Sequence, residues 1–265
     1  MRTWKKAFSV SVLGLFVLMY SNTAANALPN LAILSSSISE NATVAAGLSS
    51  TGQFASITQI FNTSTITATD LALYDVVFTF SDSPYNNAVG VGDALKSYVD
   101  AGGAVVAAIY SLSAPWALAG GITDSAYLPF AVGSPGYEPT LPISAVVPAD
   151  PIFLGIDLTG ISFFTNTNYI NPILAPGATL LAVDQLGAGM IARNAAGNVI
   201  ALNIFPGFGG SGDFFDLLAN TGVSAANGAP AVVSEPGVLG LIGVGLMGVM
   251  LFRRRGAPRL VRLTG

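Results

Sequence analysis

The chain of 265 residues contains no cysteine and no histidine. Without thiols there are no disulfides, no thiolate nucleophile and no thiolate metal site. Without imidazole the chain lacks the commonest general base and the commonest metal ligand. Positive charge is scarce as well. Between Leu28 and Val233 the only basic side chains are Lys96 and Arg193, against thirteen acidic ones, a net of −11. Such a field repels nucleic acid, so nucleic-acid binding is set aside. It tolerates cations such as Ca²⁺ and neutral partners such as sugars, and its simplest role is to keep the body soluble. No internal repeat of fixed period is present. Nothing in the composition calls for a cofactor or a metal.

What is present is strongest at the two ends. Arg2, Lys5 and Lys6 precede an apolar segment, Ala7 to Tyr20, and Ala25-Asn26-Ala27 forms a small-x-small cleavage site. This is the pattern of a secretory signal peptide over 1–27, with export through Sec and Leu28 as the first mature residue. The alternative, an uncleaved N-terminal anchor, is disfavoured by Ala25 and Ala27. At the other end, Val238 to Phe252 is a run of fifteen residues without charge or proline. As a helix it would be about 22 Å long, short against a hydrocarbon core of about 30 Å. Gly240, Gly243, Gly245 and Gly248 weaken it further as a helix. Arg253, Arg254 and Arg255 follow, which favour the cytoplasmic side.

Ser234-Glu235-Pro236-Gly237, the short glycine-studded run and the arginine cluster together resemble the PEP-CTERM sorting signal. Ser234 stands where the first proline of the name-giving triplet would be, and a basic tail, 256–265, extends beyond the arginines. The resemblance implies a transient anchor in the inner membrane over 234–255. It also implies cleavage near Glu235-Pro236 by an exosortase-type enzyme, and delivery to the envelope, surface or exterior of a bacterium that makes exopolysaccharide. The alternative is an ordinary C-terminal membrane anchor.

Residues 28–223 are enough for one α/β domain with its own core. Leu31 to Leu34, Phe54 to Phe61, Tyr74 to Phe80 and Ala104 to Tyr110 read as strands. Glu40 to Leu48 reads as a helix capped by Ser39, and Asn62 to Asp70 as a loop. Ala88 to Ala101 has Val91, Leu95, Tyr98 and Val99 on one face, and Gly102-Gly103 ends it. Strand, helix, Gly-Gly, strand is a βαβ unit and predicts a mostly parallel sheet with helices on both faces. Leu180 to Asp184, Met190 to Arg193 and Val199 to Phe205 are further strands, the last two joined by a turn at Ala195 to Asn198. Gly120 to Asp150 reads as an insertion of loops. Phe214 to Leu218 is predicted as a short closing helix and 224–233 as a flexible linker.

Leu73-Tyr74-Asp75-Val76-Val77, and later Leu95-Lys96-Ser97-Tyr98-Val99-Asp100-Ala101-Gly102-Gly103-Ala104-Val105-Val106, resemble the class I glutamine amidotransferase-like superfamily. The resemblance implies a flavodoxin-like sheet over about Leu31 to Leu218. It also places the superfamily's nucleophilic cysteine just after the strand that follows Gly-Gly. Here that place is Ser111-Leu112-Ser113, with no cysteine, no elbow glycines and no histidine to activate a hydroxyl. The resemblance therefore implies the fold without its usual chemistry, and the reading is a non-enzyme.

Ligands of open parallel sheets sit at the carboxyl ends of the strands. The loops there are Ser35 to Glu40, Ser81 to Asn87, Ser111 to Trp116 and Gly207 to Asp213. Asp82, Asn86, Ser111 and Trp116 are the candidate ligand residues. Trp116 and Tyr85 would stack on a sugar ring or pack beneath the loops. Asp82, Asn86, Asn87 and Asp93 offer oxygens to a hard cation, but no D-x-D-x-D-G spacing supports this, and Asx turns with a helix cap at Gly92-Asp93 are the better explanation. Gly207-Phe208-Gly209-Gly210-Ser211-Gly212 matches a phosphate-cradling spacing, yet it lacks the following sheet and is better read as a flexible loop. Glu40 and Glu138 as a glycosidase pair find no support in their surroundings.

Overall fold

The computed structural model describes residues 27–61 and 65–228. The residues up to Asn26, with Ala25 of the expected cleavage site, lie outside the described residues. So do Ser234, Glu235, Pro236, Gly237, Arg253, Arg254, Arg255 and the tail 256–265. Among the described residues no helix is long and apolar enough to cross a membrane.

Four apolar strands form the centre. β1 (Asn30–Ser35), β3 (Val76–Phe80), β4 (Ala104–Ala108) and β11 (Val199–Leu202) are buried almost throughout. Continuous burial is what a strand covered on both faces requires, and it accounts for the absence of polar alternation. Each fully buried Leu, Ile, Val or Phe in these strands contributes about 1.5–3 kcal/mol. β2 (Ser56–Phe61) adds a parallel outer strand beside β1. The eight-stranded order is β2-β1-β3-β4-β11-β10-β9-β6, and the first five strands are mutually parallel. β10 (Gly189–Arg193), β9 (Thr179–Val183) and β6 (Ser144–Ala145) continue the sheet with antiparallel pairings. The expected α/β, mostly parallel, flavodoxin-like architecture is thus present, with an antiparallel flank on one side.

Helix α1 (Ile38–Ser50) packs on α4 (Phe214–Gly228), and α3 (Ala88–Asp100) packs on the short α2 (Ala68–Leu71). The two pairs cover the two faces. Several local expectations are corrected. Ser37 rather than Ser39 takes the N-cap position of the first helix, with extended backbone, and its hydroxyl goes to the Glu40 carboxylate instead of capping an N–H. The cap of α3 is Asn87, whose side chain accepts from the Gly90 N–H at 2.9 Å, not Gly92-Asp93. Residues 68–71, read as loop, form α2, closed by a capping box between Thr67 and Asp70.

Gly207 to Ser211 is not a loop but part of β12 (Phe205–Ser211), paired with β7 (Ser162–Phe164). Its glycines serve close backbone approach. A Cβ at Gly210 would lie 2.4 Å from the Ser162 carbonyl oxygen, and one at Gly207 would lie 2.8 Å from the Glu40 side chain. The closing helix runs to Gly228, so Ser224 to Gly228, expected as linker, are helical.

At the amino ends of the strands, Arg193 grips Asp150 through two bonds of 2.7 and 2.9 Å and reaches Ser224 of α4 at 2.8 Å. This ties β10 to the end of the chain's last described helix. At the same pole Leu28 and Pro29 meet Val223 and Asn227 around an open recess.

Candidate functional site

The loops after β1, β3 and β4 converge at the carboxyl ends of the strands. Ser36 joins the first two: its hydroxyl accepts the N–H groups of Asp82 and Ser83 at 3.1 and 3.2 Å, and the Ser83 hydroxyl donates back to the Ser36 carbonyl. Ser81 joins the second to the third by donating to the Trp116 carbonyl at 3.0 Å. Three separate loops are thereby held as one rim. A fourth segment, between β7 and β8 (Tyr169–Ile170), closes over it. There the Asn166 side chain accepts from the Asn168 N–H at 2.8 Å and from the Tyr110 hydroxyl at 3.4 Å.

Tyr110 is the centre of this rim. Its ring stacks on Phe205 at 5.0 Å and meets the edges of Trp116 at 5.5 Å and Tyr169 at 5.6 Å. Such contacts contribute about 0.5–1.5 kcal/mol each beyond burial and fix the ring planes. Tyr110, Trp116, Ser113, Ala114, Pro115, Pro135 and Asn168 line a shallow open cleft. Burial and the nearby charge of Asp82 push the Tyr110 hydroxyl up to about 12, against the hydrogen bond to Asn166. It stays protonated at neutral pH and remains a donor.

Asp82 is half-buried and its carboxyl lies above its ordinary value, chiefly through burial and secondly through the charge of Glu40. Glu40 itself stands at the start of α1 and accepts from the hydroxyls of Ser37 and Ser39. Glu138 is exposed beside β5 (Pro135–Tyr137).

Of the four expected ligand residues, Asp82 and Trp116 are brought to one rim. Asn86 is exposed in the same 81–87 loop as Asp82. Ser111 is not at the surface. It is fully buried, and its hydroxyl donates to the Ala108 carbonyl. Ser113 is likewise buried and bonds to the Asn168 carbonyl. Tyr85 is a packing residue, with its hydroxyl 2.8 Å from that of Thr79 and 3.0 Å from the Phe80 carbonyl. The sequence pattern does not point to Tyr110, Asn166 or Asn168. Tyr110 reads as the end of a strand, and the Asn166-Thr167-Asn168 run is far away in the chain; its polar side chains beside Tyr169 are the only local signal.

No protein-family model matches the chain, and no curated protein does. Solved structures do match. A protein described as ThuA-like from Bacteroides uniformis superposes with a TM-score of 0.50 at 14% identity, covering 78% of this chain and 94% of its own. A GMP synthase component from Thermoplasma acidophilum gives a TM-score of 0.54 at 14% identity, covering 76% of this chain and 95% of its own. The domain shares its α/β, flavodoxin-like fold with these two proteins. At this identity the likeness concerns the fold alone.

Within that fold, the place after β4 is built differently from a nucleophile elbow. An elbow needs a strand, a sharp strained turn and a helix whose first N–H groups face the reacting atom. Here Ala108 is followed by turns, and the next helical residues are Gly121–Thr123. Among the described residues no three acidic side chains converge into a cation site. Most carboxylates instead hold backbone N–H groups: Asp75 that of Asn30, Asp93 that of Gly121, Asp157 that of Thr159 and Asp213 that of Asp157.

Proposed function

We propose that this is an exported, non-enzymatic envelope or surface protein whose amidotransferase-like domain holds an uncharged saccharide, as part of an exopolysaccharide, at the Tyr110–Trp116 cleft. On this reading 1–27 directs export. The segment 234–255 anchors the chain transiently in the inner membrane until an exosortase-type enzyme cuts near Glu235-Pro236. The observation that carries the binding reading is the cleft itself. A fixed pair of aromatic rings, side-chain amides from Asn166 and Asn168, and a neighbouring carboxylate suit a sugar's apolar face and hydroxyls. The same carboxylate, with no cation among the described residues of the cleft to offset it, disfavours anionic sugars. The buried, committed hydroxyl of Ser111 supports the non-enzymatic part.

Binding to a panel of neutral and acidic glycans tests the site. Retention of neutral glycans, lost in Trp116→Ala, is the expected result; indifference to that substitution overturns it. The intact mass of the protein from the extracellular fraction tests processing, and a chain ending near Glu235 is expected.

One observation favours a second reading, a carboxylate-dependent hydrolase acting on sugars: the Asp82 carboxyl is raised by burial and by the charge of Glu40, and an acid raised beside a second carboxylate is a pattern of such chemistry. Turnover of chromogenic glycosides, abolished in Asp82→Asn, would replace the binding reading with this one. A cation-binding adhesion module gains no support from the described residues; calorimetry with Ca²⁺ tests it directly.

A further inference from the structure

The two edges of the eight-stranded sheet are unlike. One ends in β6, only Ser144–Ala145, too short to template another strand. The other ends in β2, six residues reading Ser-Ile-Thr-Gln-Ile-Phe, whose one partner among the described residues is β1. β2 carries none of the devices that block edge pairing: no charge, no proline, no bulge in its register with β1. Ser56, Thr58, Gln59 and Phe61 are exposed.

The charge-free surface extends beyond the strand. From Asn41 to Thr69 no residue is charged, the longest such run between Leu28 and Val233. α1 lies against β2, and its exposed positions within this run are Ala42, Thr43, Ala46, Ser49 and Ser50, all small. Small side chains allow a neighbouring body to come close to the strand edge. For a body of net charge −11, most approaches of a second copy bring carboxylates together. This flank has no charge of its own within 41–69; Asp75, held by Asn30 beside Ser56, stands at one end of the strand, and a second copy presents the same flank. A surface that suits itself is what an isologous two-fold interface demands.

We propose that β2 is a self-association edge: two copies pair β2 against β2 in antiparallel fashion, joining two eight-stranded sheets into one continuous sheet, with the small outer residues of α1 closing beside it. Six residues of strand give a ladder of about 20 Å.

The absence of cysteine makes the test direct. The full-length chain, purified in a mild detergent, is compared by sedimentation with the double variant Thr58→Lys, Gln59→Lys. Both positions are exposed, so the fold is retained, which far-ultraviolet circular dichroism checks. A dimer is expected, with association weakened at least tenfold by the lysine pair. Separately, Thr58→Cys and Gln59→Cys are oxidised gently. At least one is expected to give a disulfide-linked dimer, since antiparallel pairing about a two-fold axis brings a central residue to its own copy, whereas Gln185→Cys, exposed on the far flank, stays monomeric. A monomeric wild-type chain, a dimer that the lysine pair leaves unchanged, or cross-linking no better at 58 or 59 than at 185 each overturns the proposal.

Discussion

Asp184 and Asp82 stand on the same rim of the sheet, yet the fold treats them in opposite ways. Asp184, on the antiparallel flank, is 2% exposed and accepts five hydrogen bonds: from the Tyr137 hydroxyl, the Thr140 N–H and hydroxyl, and the N–H groups of Leu186 and Ala188. Burial alone would raise its carboxyl, but these donors, led by Tyr137, more than offset that and hold it below its ordinary value. Asp82, in the parallel centre, is raised by burial and by Glu40. One carboxylate is consumed in holding a turn and a distant loop together. The other sits at a cost beside an open aromatic cleft. Carboxylates that relieve backbone donors belong to architecture, and one kept against its own preference is where binding or chemistry is sought.

The largest effect separating the two flanks is expected from Asp184→Ala. It leaves the part-buried N–H groups of Thr140, Leu186 and Ala188 without their acceptor and should cost about 3 kcal/mol, read as a lower denaturation midpoint. Trp116→Ala comes next. It should lower saccharide retention about tenfold while moving the midpoint less than Asp184→Ala does, because Trp116 is only partly buried and packs on the core from the cleft side. A midpoint loss as large as that of Asp184→Ala would erase the contrast.

A smaller effect lies in the pH dependence. Asp184 has a folded value below its unfolded one, so its stabilisation is complete above the unfolded value and is lost as pH falls through the folded value. Asp82 has a folded value above its unfolded one. The folded protein therefore takes up the proton first, and stability is gained as pH falls through the raised value. Relative to Asp82→Asn, the wild type should gain stability on acidification; relative to Asp184→Asn, it should lose it. Two curves of the same sign would sink the comparison. The smallest effect is expected from Ser111→Ala, below about 1 kcal/mol and without influence on glycan retention, since the Ala108 carbonyl still accepts the Ser111 N–H at 3.0 Å.

The strands buried on both faces were legible because their apolar runs have no other use: Leu31 to Leu34, Val76 to Phe80 and Ala104 to Ala108 announce themselves. α3 was legible from its face of Val91, Leu95, Tyr98 and Val99. β12 was not, since Gly207, Gly209 and Gly210 signal a turn locally, and only the approach of Ser162 and Glu40 makes glycine the residue that fits a strand there. The local pattern stops α4 too early because Asn220, Thr221 and Gly222 are weak helix formers; Thr221, Gly222 and Ala225 are buried, so tertiary packing overrides propensity. For the site, the rule that ligands gather at strand ends pointed to Asp82 and Trp116. It could not bring Asn166 and Asn168 to Tyr110, because a contact across more than fifty residues leaves no local trace.

The recess shared by Leu28, Pro29, Val223 and Asn227 has a practical reach. The polypeptide enters and leaves the domain by one doorway, at the end of the strands away from the aromatic rim. Whatever is spliced onto either end, a carrier, a surface or a host loop, meets the domain at its foot, and the head stays clear. The body can be grafted, displayed or closed into a ring through that doorway with the rim left as it stands.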